Sequence, residues 1–258
     1  LNELQEMGAV KIQNHGHLGS TVTELSWGKL WNIVQQGPLV IALTLPMHSR
    51  FEGLATRIKM AFEKIGVEAY LIFIRGSTTR LKALKENRCH ATVMSALAAE
   101  DHCGSEYEII LELPPSSWIS QYCVFYRTLK RENGRPLRVA VDRDSSDHIK
   151  LSELVFTGEK IEYKVTSYTQ ISRLLKNGDV DATVWTTDQA DAFLGSGIQS
   201  QPLSQQLMEK IGAKSTSAAF IALAGSAAVR AIFKAAIHPD EIMAIQNKVS
   251  SGELIPGY

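Results

Sequence analysis

The chain repeats itself, and that repeat limits its possible folds more than any other feature. Residues 84–93, Leu-Lys-Glu-Asn-Arg-Cys-His-Ala-Thr-Val, lie over residues 175–184, Leu-Lys-Asn-Gly-Asp-Val-Asp-Ala-Thr-Val, without a gap. What precedes each copy also follows one order. In the second half a β-branched run at 139–141 reads as a buried strand and a polar cluster at 142–147 breaks it. Ile149, Leu151, Leu154 and Val155 then recur at helical spacing. In the first half an apolar run at 39–45, a break at 46–50, and Leu54, Ile58, Ala61, Phe62 and Ile65 give the same strand, turn and helix. Each half continues with a second strand, at 67–74 or 161–165, a capped turn, and a short helix carrying Leu81 and Leu84 or Leu174 and Leu175. Two tandem α/β units predict two lobes, each a mixed sheet flanked by helices, and a cleft between lobes is where small ligands commonly bind.

The turn of the second unit has chemistry of its own. Ser145, Ser146 or Asp147 can cap the following helix. A helix start carries unpaired N–H groups and partial positive charge, so this turn suits an anion; the same residues serve equally as plain caps.

Composition narrows the function classes. With 258 residues, 45% hydrophobic and 21% charged, the chain has apolar material for one large or two modest cores, and disorder is excluded. Lys plus Arg and Asp plus Glu are both 27, so no overall basic excess points to nucleic acid, which still leaves room for a small DNA-binding segment. Three cysteines without a Cys-x-x-Cys argue against a disulfide framework and for a reducing compartment, so the expected location is cytoplasmic. Residues 1–10 carry Glu3, Gln5 and Glu6 where a secretion signal needs an apolar run. The longest apolar stretch, 218–237, is broken by Gly225, Ser226, Arg230 and Lys234, and reads as a buried strand then a helix, with no membrane partner.

Enzyme signatures are missing: there is no Gly-x-Ser-x-Gly elbow, phosphate loop, dinucleotide fingerprint or His-Glu-x-x-His. Cys89 and Cys123 lie in or beside apolar strands and read as small buried thiols. His15 and His17 form a His-x-His pair with no third ligand at clear spacing, and His90, His102 and Cys103 make only a loose cluster. No catalytic residue, metal or cofactor is expected.

At the front, residues 1–10 read as a helix end stopped by Gly8, and β-prone pieces at 10–13 and 20–23 flank a turn-rich tip at 14–19. A connecting helix within 24–37 carries Trp27 and Trp31, which pack on a neighbour. A soft loop at 130–136 precedes the second repeat unit.

Residues 1–23 resemble the end of a winged-helix DNA-binding domain of the GntR kind: a leucine-rich helix end, a glycine, a small apolar pair, and a wing turning on glycines before a Thr-Val strand. That resemblance implies that Lys11, Asn14, His15 and His17 contact DNA phosphate or the minor groove, and that most of the DNA-reading helix lies upstream of Leu1. The element order of residues 38–258 resembles the two-lobed type II periplasmic-binding-protein fold. The two together are similar to the YhfZ-type family of regulators.

This resemblance implies a winged-helix end at 1–23, a linker helix at 24–37, a first lobe from 38–122 and 218–258, and a second lobe at 123–217. It implies a ligand-responsive DNA-binding homodimer with a small anionic or zwitterionic effector in the cleft. A transporter's solute-binding protein and a biosynthetic enzyme use the same fold and are the alternatives. Carried over position by position, the effector would be held by His48, Ser49 and Arg50, by Arg75, Ser77 and Thr78, and by Ser95 of the first lobe. From the second lobe come Ser145, Ser146, Asp147, Thr169, Trp185 and Thr186. Arg50 or Arg75 would supply the countercharge and Trp185 a floor for an apolar part.

Overall fold

Helix α1 (Asn2–Glu6) ends where Gly8 takes φ of 65°, and an antiparallel hairpin of β1 (Val10–Asn14) and β2 (Ser20–Leu25) follows directly. This computed structural model describes residues 1–35, 37–127, 134–193, 195 and 197–258. Part of the predicted soft loop, residues 130–133, lies outside the described residues. Helix α2 (Trp27–Gln35) buries Trp31, whose ring meets His90 edge-on at 5.3 Å and whose Nε1 donates to the Gly37 carbonyl at 2.8 Å.

The first lobe then forms as the repeat requires. Apolar β3 (Leu39–Leu43) leads into α3 (Ser49–Lys64), which turns Leu54, Ile58, Ala61 and Phe62 into the core. Next come β4 (Ala69–Phe73), α4 (Ser77–Lys85), β5 (Ala91–Ser95), α5 (Ala96–His102) and β6 (Tyr107–Glu112). The chain crosses to the other lobe through residues 113–121. There β7 (Tyr122–Tyr126), β8 (Leu137–Val141), α6 (Ser146–Val155), β9 (Ile161–Val165), α7 (Tyr168–Asn177) and β10 (Ala182–Thr186) are laid down. After α8 (Ala190–Phe193), β11 (Gln199–Pro202) and α9 (Gln205–Ile211), the chain crosses back into β12 (Ala218–Leu223), α10 (Ala227–Ala236) and α11 (Pro239–Ser250).

The two sheets have one topology. The first runs β4-β3-β5-β12-β6 and the second β9-β8-β10-β7-β11, with the three repeat strands parallel and the fourth strand antiparallel to the neighbours on both its sides. In each sheet the fourth strand comes from across a crossover: β12 enters the first sheet from the far end of the chain, and β7 starts the second. The matched Ala-Thr-Val tracts do the same work in both. Thr92 Oγ1 donates to the Ala42 carbonyl at 3.0 Å, and Thr183 Oγ1 to the Ala140 carbonyl at 3.2 Å, each satisfying a buried hydroxyl against the neighbouring strand.

The two crossing segments lie side by side and act as the hinge. The Trp118 amide donates to the Thr216 carbonyl at 2.8 Å, and the Ala218 amide to Ser117 Oγ at 2.9 Å. Helix α11 braces them, its Gln246 Nε2 donating to the Ser117 and Arg50 carbonyls at 2.7 and 3.1 Å. It packs so closely on α3 that a Cβ at Gly53 would lie 2.6 Å from the Gln246 Cα, which only glycine permits.

Candidate functional site

Parallel strands point their carboxyl ends toward the space between the lobes, and ligands in α/β folds bind at such ends. The residues just past β3, β8 and β10 line a cleft of about 650 Å³ of empty space, its open mouth included. Leu45, Phe51, Met94, Trp118, Tyr122 and Trp185 make most of its wall apolar.

Into that wall the chain sets polar groups without partners. Arg80, in the second turn of α4, is only 2% exposed; Nη1 donates to the Ile74 carbonyl at 3.0 Å, and buried Nε has no partner. Burial lowers its guanidinium pKa to about 10, so it stays cationic at neutral pH. From the other lobe, Asp147 in the first turn of α6 is 8% exposed and its Oδ1 also lacks a partner. Burial pushes its carboxyl up to about 6, although a hydrogen bond from Ser95 and the nearby Arg80 oppose that rise.

His48 precedes α3 with both ring nitrogens buried and unpartnered, its ring over Phe51 with centroids 4.0 Å apart. Burial lowers its pKa to about 4, Asp188 opposing and Arg50 assisting, so the ring is neutral at pH 7. The Tyr168 hydroxyl, also in the wall, lacks a partner of proper hydrogen-bond geometry. A buried polar atom left unpaired costs about 1–3 kcal/mol, and several around one hollow mark a place prepared for a bound molecule.

Beside the cleft the lobes touch directly. Arg75 Nη1 donates to Asp142 at 2.6 Å, and Nη2 pairs with Asp144. Gly76, at φ of 82°, fits beneath: a Cβ there would lie 2.5 Å from the Asp144 Cβ. Ser77 Oγ donates to the Asp144 carbonyl at 3.2 Å, Ser146 Oγ meets His102 Nε2 at 2.8 Å, and Lys150 pairs with Asp101 at 2.8 Å. These contacts form a clasp from one lobe to the other.

Of the residues expected to hold a ligand, His48, Ser77, Ser145, Asp147, Trp185 and Thr186 line the cleft. The others stand elsewhere. Ser49 Oγ bonds Ser250 Oγ at 3.0 Å, on the α11 side of α3. Arg50 is tied into the hinge, donating to the Ser116 carbonyl and Ser120 Oγ, each at 2.7 Å, with Asp188 at 3.5 Å. Arg75 and Ser146 belong to the clasp, while Ser95 caps α5 through the Ala98 amide at 3.0 Å and supports Asp147 from behind. Thr78 and Thr169 are exposed. The cation of the cleft is therefore Arg80 rather than Arg50 or Arg75, whose acidic partners lie 67 to 138 residues away in sequence. Arg80, Tyr168, Phe51, Trp118 and Tyr122 were absent from the sequence-based set. A signal existed for the first: Arg80 lies four residues before Leu84, on its buried helical face, and the repeat puts Ile171 at the matching place.

In the hairpin, Lys11 Nζ pairs with Glu24 at 2.9 Å, Asn14 Oδ1 accepts from the Gly16 amide at 2.8 Å, and His15 and His17 sit at the exposed tip. Among the described residues no three His, Cys, Asp or Glu side chains are grouped to hold a metal. None of their helices is long and apolar enough to cross a membrane.

Two lobes of one topology, a double-stranded hinge and a cleft at the strand ends make up the two-lobed α/β fold seen in periplasmic binding proteins. The arginine-bound amino acid transporter substrate-binding protein AbpA of Streptococcus pneumoniae shares this fold, with a TM-score of 0.57 at 13% identity over 85% of this chain and 95% of that one. Residues 27–258 match the YhfZ C-terminal domain family, and the chain belongs to it. It is 27% identical over its whole length to protein YhfZ of Escherichia coli strain K12, covering 84% of that protein. The crystal structure of YhfZ from Shigella flexneri is similar with a TM-score of 0.72 and 26% identity, over 90% of this chain and 98% of that one.

Proposed function

We propose that this protein is a ligand-responsive, DNA-binding transcription regulator whose cleft takes a small zwitterionic molecule. One observation carries the ligand half. Arg80 and Asp147, buried and of opposite charge, approach the cleft from opposite lobes, each with an unpartnered polar atom. A carboxylate on Arg80 and an ammonium on Asp147 would satisfy both, whereas a plain anion would leave Asp147 unanswered. Because the two charges belong to different lobes, such a ligand favours the closed state over the open one, which is what shifts a conformational equilibrium.

The DNA half is supported by the front of the chain, where a helix end runs through Gly8 into a hairpin whose tip carries Asn14, His15 and His17, with Lys11 on its first strand. In a homodimer, closure would change the spacing of two such hairpins along the duplex. The same reading carries a cytoplasmic location and no catalysis.

Thermal-shift measurements with small zwitterions and small acids test the ligand half, since a ligand at a hundredfold excess over Kd adds about 2.7 kcal/mol to stability. Stabilisation by zwitterions that disappears in Arg80→Leu and in Asp147→Asn is the expected result. Equal stabilisation in the variants would put the ligand elsewhere. For the DNA half, Lys11→Glu lowers affinity for duplex DNA in low salt; unchanged affinity removes the hairpin from the reading.

A further inference from the structure

The charged pair occupies one end of the cleft, and the other end is built differently. His48 stands at the hinge end, its ring against Phe51 and that ring against Trp118 with centroids 4.6 Å apart, whereas Arg80 and Asp147 stand beside the clasp, on the helices begun by Ser77 and Ser146, whose hydroxyls are 3.4 Å apart. Buried Tyr122 shares the wall with Phe51 and Trp118.

At the far end no charge among the described residues is left for a ligand. The Asp188 carboxylate accepts from the Ser120 amide at 2.7 Å, Ser120 Oγ at 2.6 Å and Thr186 Oγ1 at 2.9 Å, with Arg50 at 3.5 Å. In the cleft wall there, both ring nitrogens of His48 are buried and without partners. A neutral imidazole carries one N–H donor and one acceptor. Either can be met by a hydroxyl or a carboxamide, which brings no net charge into a wall with nothing to neutralise it.

We propose that His48 reads an uncharged hydroxyl or carboxamide at the tip of the ligand's side chain, so that the molecule bound is a zwitterion with an apolar body and a neutral hydrogen-bonding end. This inference rests on the zwitterion reading of Arg80 and Asp147. It assigns His48 the choice among zwitterions, and Arg80 with Asp147 the anchoring common to all of them.

Calorimetric titration of the whole chain with matched probes tests it: L-tyrosine against L-phenylalanine, L-glutamine against L-norleucine, and L-lysine as a cationic tip. The polar member of at least one pair binds about tenfold or more tighter than its apolar twin, and L-lysine binds more weakly than either. His48→Leu erases that gap, the polar member losing its advantage over its apolar twin, and His48→Gln, which keeps a donor and an acceptor, retains part of the gap. Zwitterions that need Arg80 yet show no preference by tip, or a preference that survives in His48→Leu, overturn the role of His48 and leave the anchor intact. No binding by any probe, with Arg80→Leu indistinguishable from the parent, takes down both.

Discussion

Helix α7 of the second lobe puts Ile171 into the core with no exposure at all, four residues before buried Leu175. Helix α4 of the first lobe puts Arg80 at the matching place, four residues before buried Leu84. The histidines differ in the same sense. His148 of the second lobe accepts from the Asp142 amide at 3.0 Å and shares a hydrogen bond with Thr183 Oγ1 at 3.1 Å, while His48 of the first has no partner. One backbone plan thus buries an apolar side chain in the second lobe where the first sets a cation, while each lobe leaves polar atoms open toward the cleft, Arg80 and His48 in the first and Asp147 and Tyr168 in the second. Strand order and the Thr92 and Thr183 bonds belong to the scaffold; unanswered polar atoms at places the scaffold fills with apolar or bonded ones belong to the site.

The most severe way to break this comparison is to exchange the two solutions. Ile171→Arg places a cation in an apolar pocket without a partner and should cost more than about 4 kcal/mol, so little folded protein is expected at 37 °C. The reverse change, Arg80→Ile, copies the second lobe: its unfolding free energy should stay within about 2 kcal/mol of the parent, while zwitterion affinity falls about a hundredfold. A large loss of stability in Arg80→Ile would make Arg80 a structural cation instead.

Acid sharpens the contrast between the histidines. Both have a pKa lowered from 6.5 to about 4 by burial, so the stability they contribute is complete above pH 6.5 and is lost as pH falls toward 4. Asp147, raised from 3.8 to about 6, acts the other way, its contribution being complete below 3.8 and lost as pH rises to 6. Urea unfolding between pH 7 and 4 should show His148→Gln costing about 2 kcal/mol already at pH 7, because two hydrogen bonds go with it. His48→Gln should cost little at pH 7 and mainly flatten the acid slope.

Smaller effects are expected at the clasp and in the repeat. Arg75→Ala removes the bridge to Asp142 and Asp144 and should open the unliganded protein, seen as a larger radius of gyration in X-ray scattering with a stability loss of about 1 kcal/mol. Thr92→Val should cost about 1 kcal/mol for its one hydrogen bond, and Thr183→Val about 2 kcal/mol, since it also takes the Oγ1 partner of His148.

Much of the scaffold was readable beforehand, because apolar period and turn residues are local. Leu54, Ile58, Ala61 and Phe62 recur at helical spacing and are buried as that spacing requires. The lining of the cleft was readable where it coincides with helix starts and one strand end, as at His48, Ser77, Ser145, Asp147 and Trp185. Arg50 and Arg75 looked available because their acidic partners are distant in sequence. Phe51, Trp118 and Tyr122 pointed to no particular wall, since an aromatic residue near a chain crossing carries no mark of which surface it will face.

The late arrival of β12 has a consequence for how the molecule comes into being. A ribosome delivers every strand of the second sheet, residues 122–202, in one stretch, whereas the first sheet waits with β5 and β6 unjoined until residues 218–223 emerge. Pairing across more than a hundred residues is slow, and the waiting edges are open to other chains. The half that carries Arg80 and His48 is therefore the last to set during synthesis, and a truncated product ending before Ala218 would own a finished second sheet and no pocket.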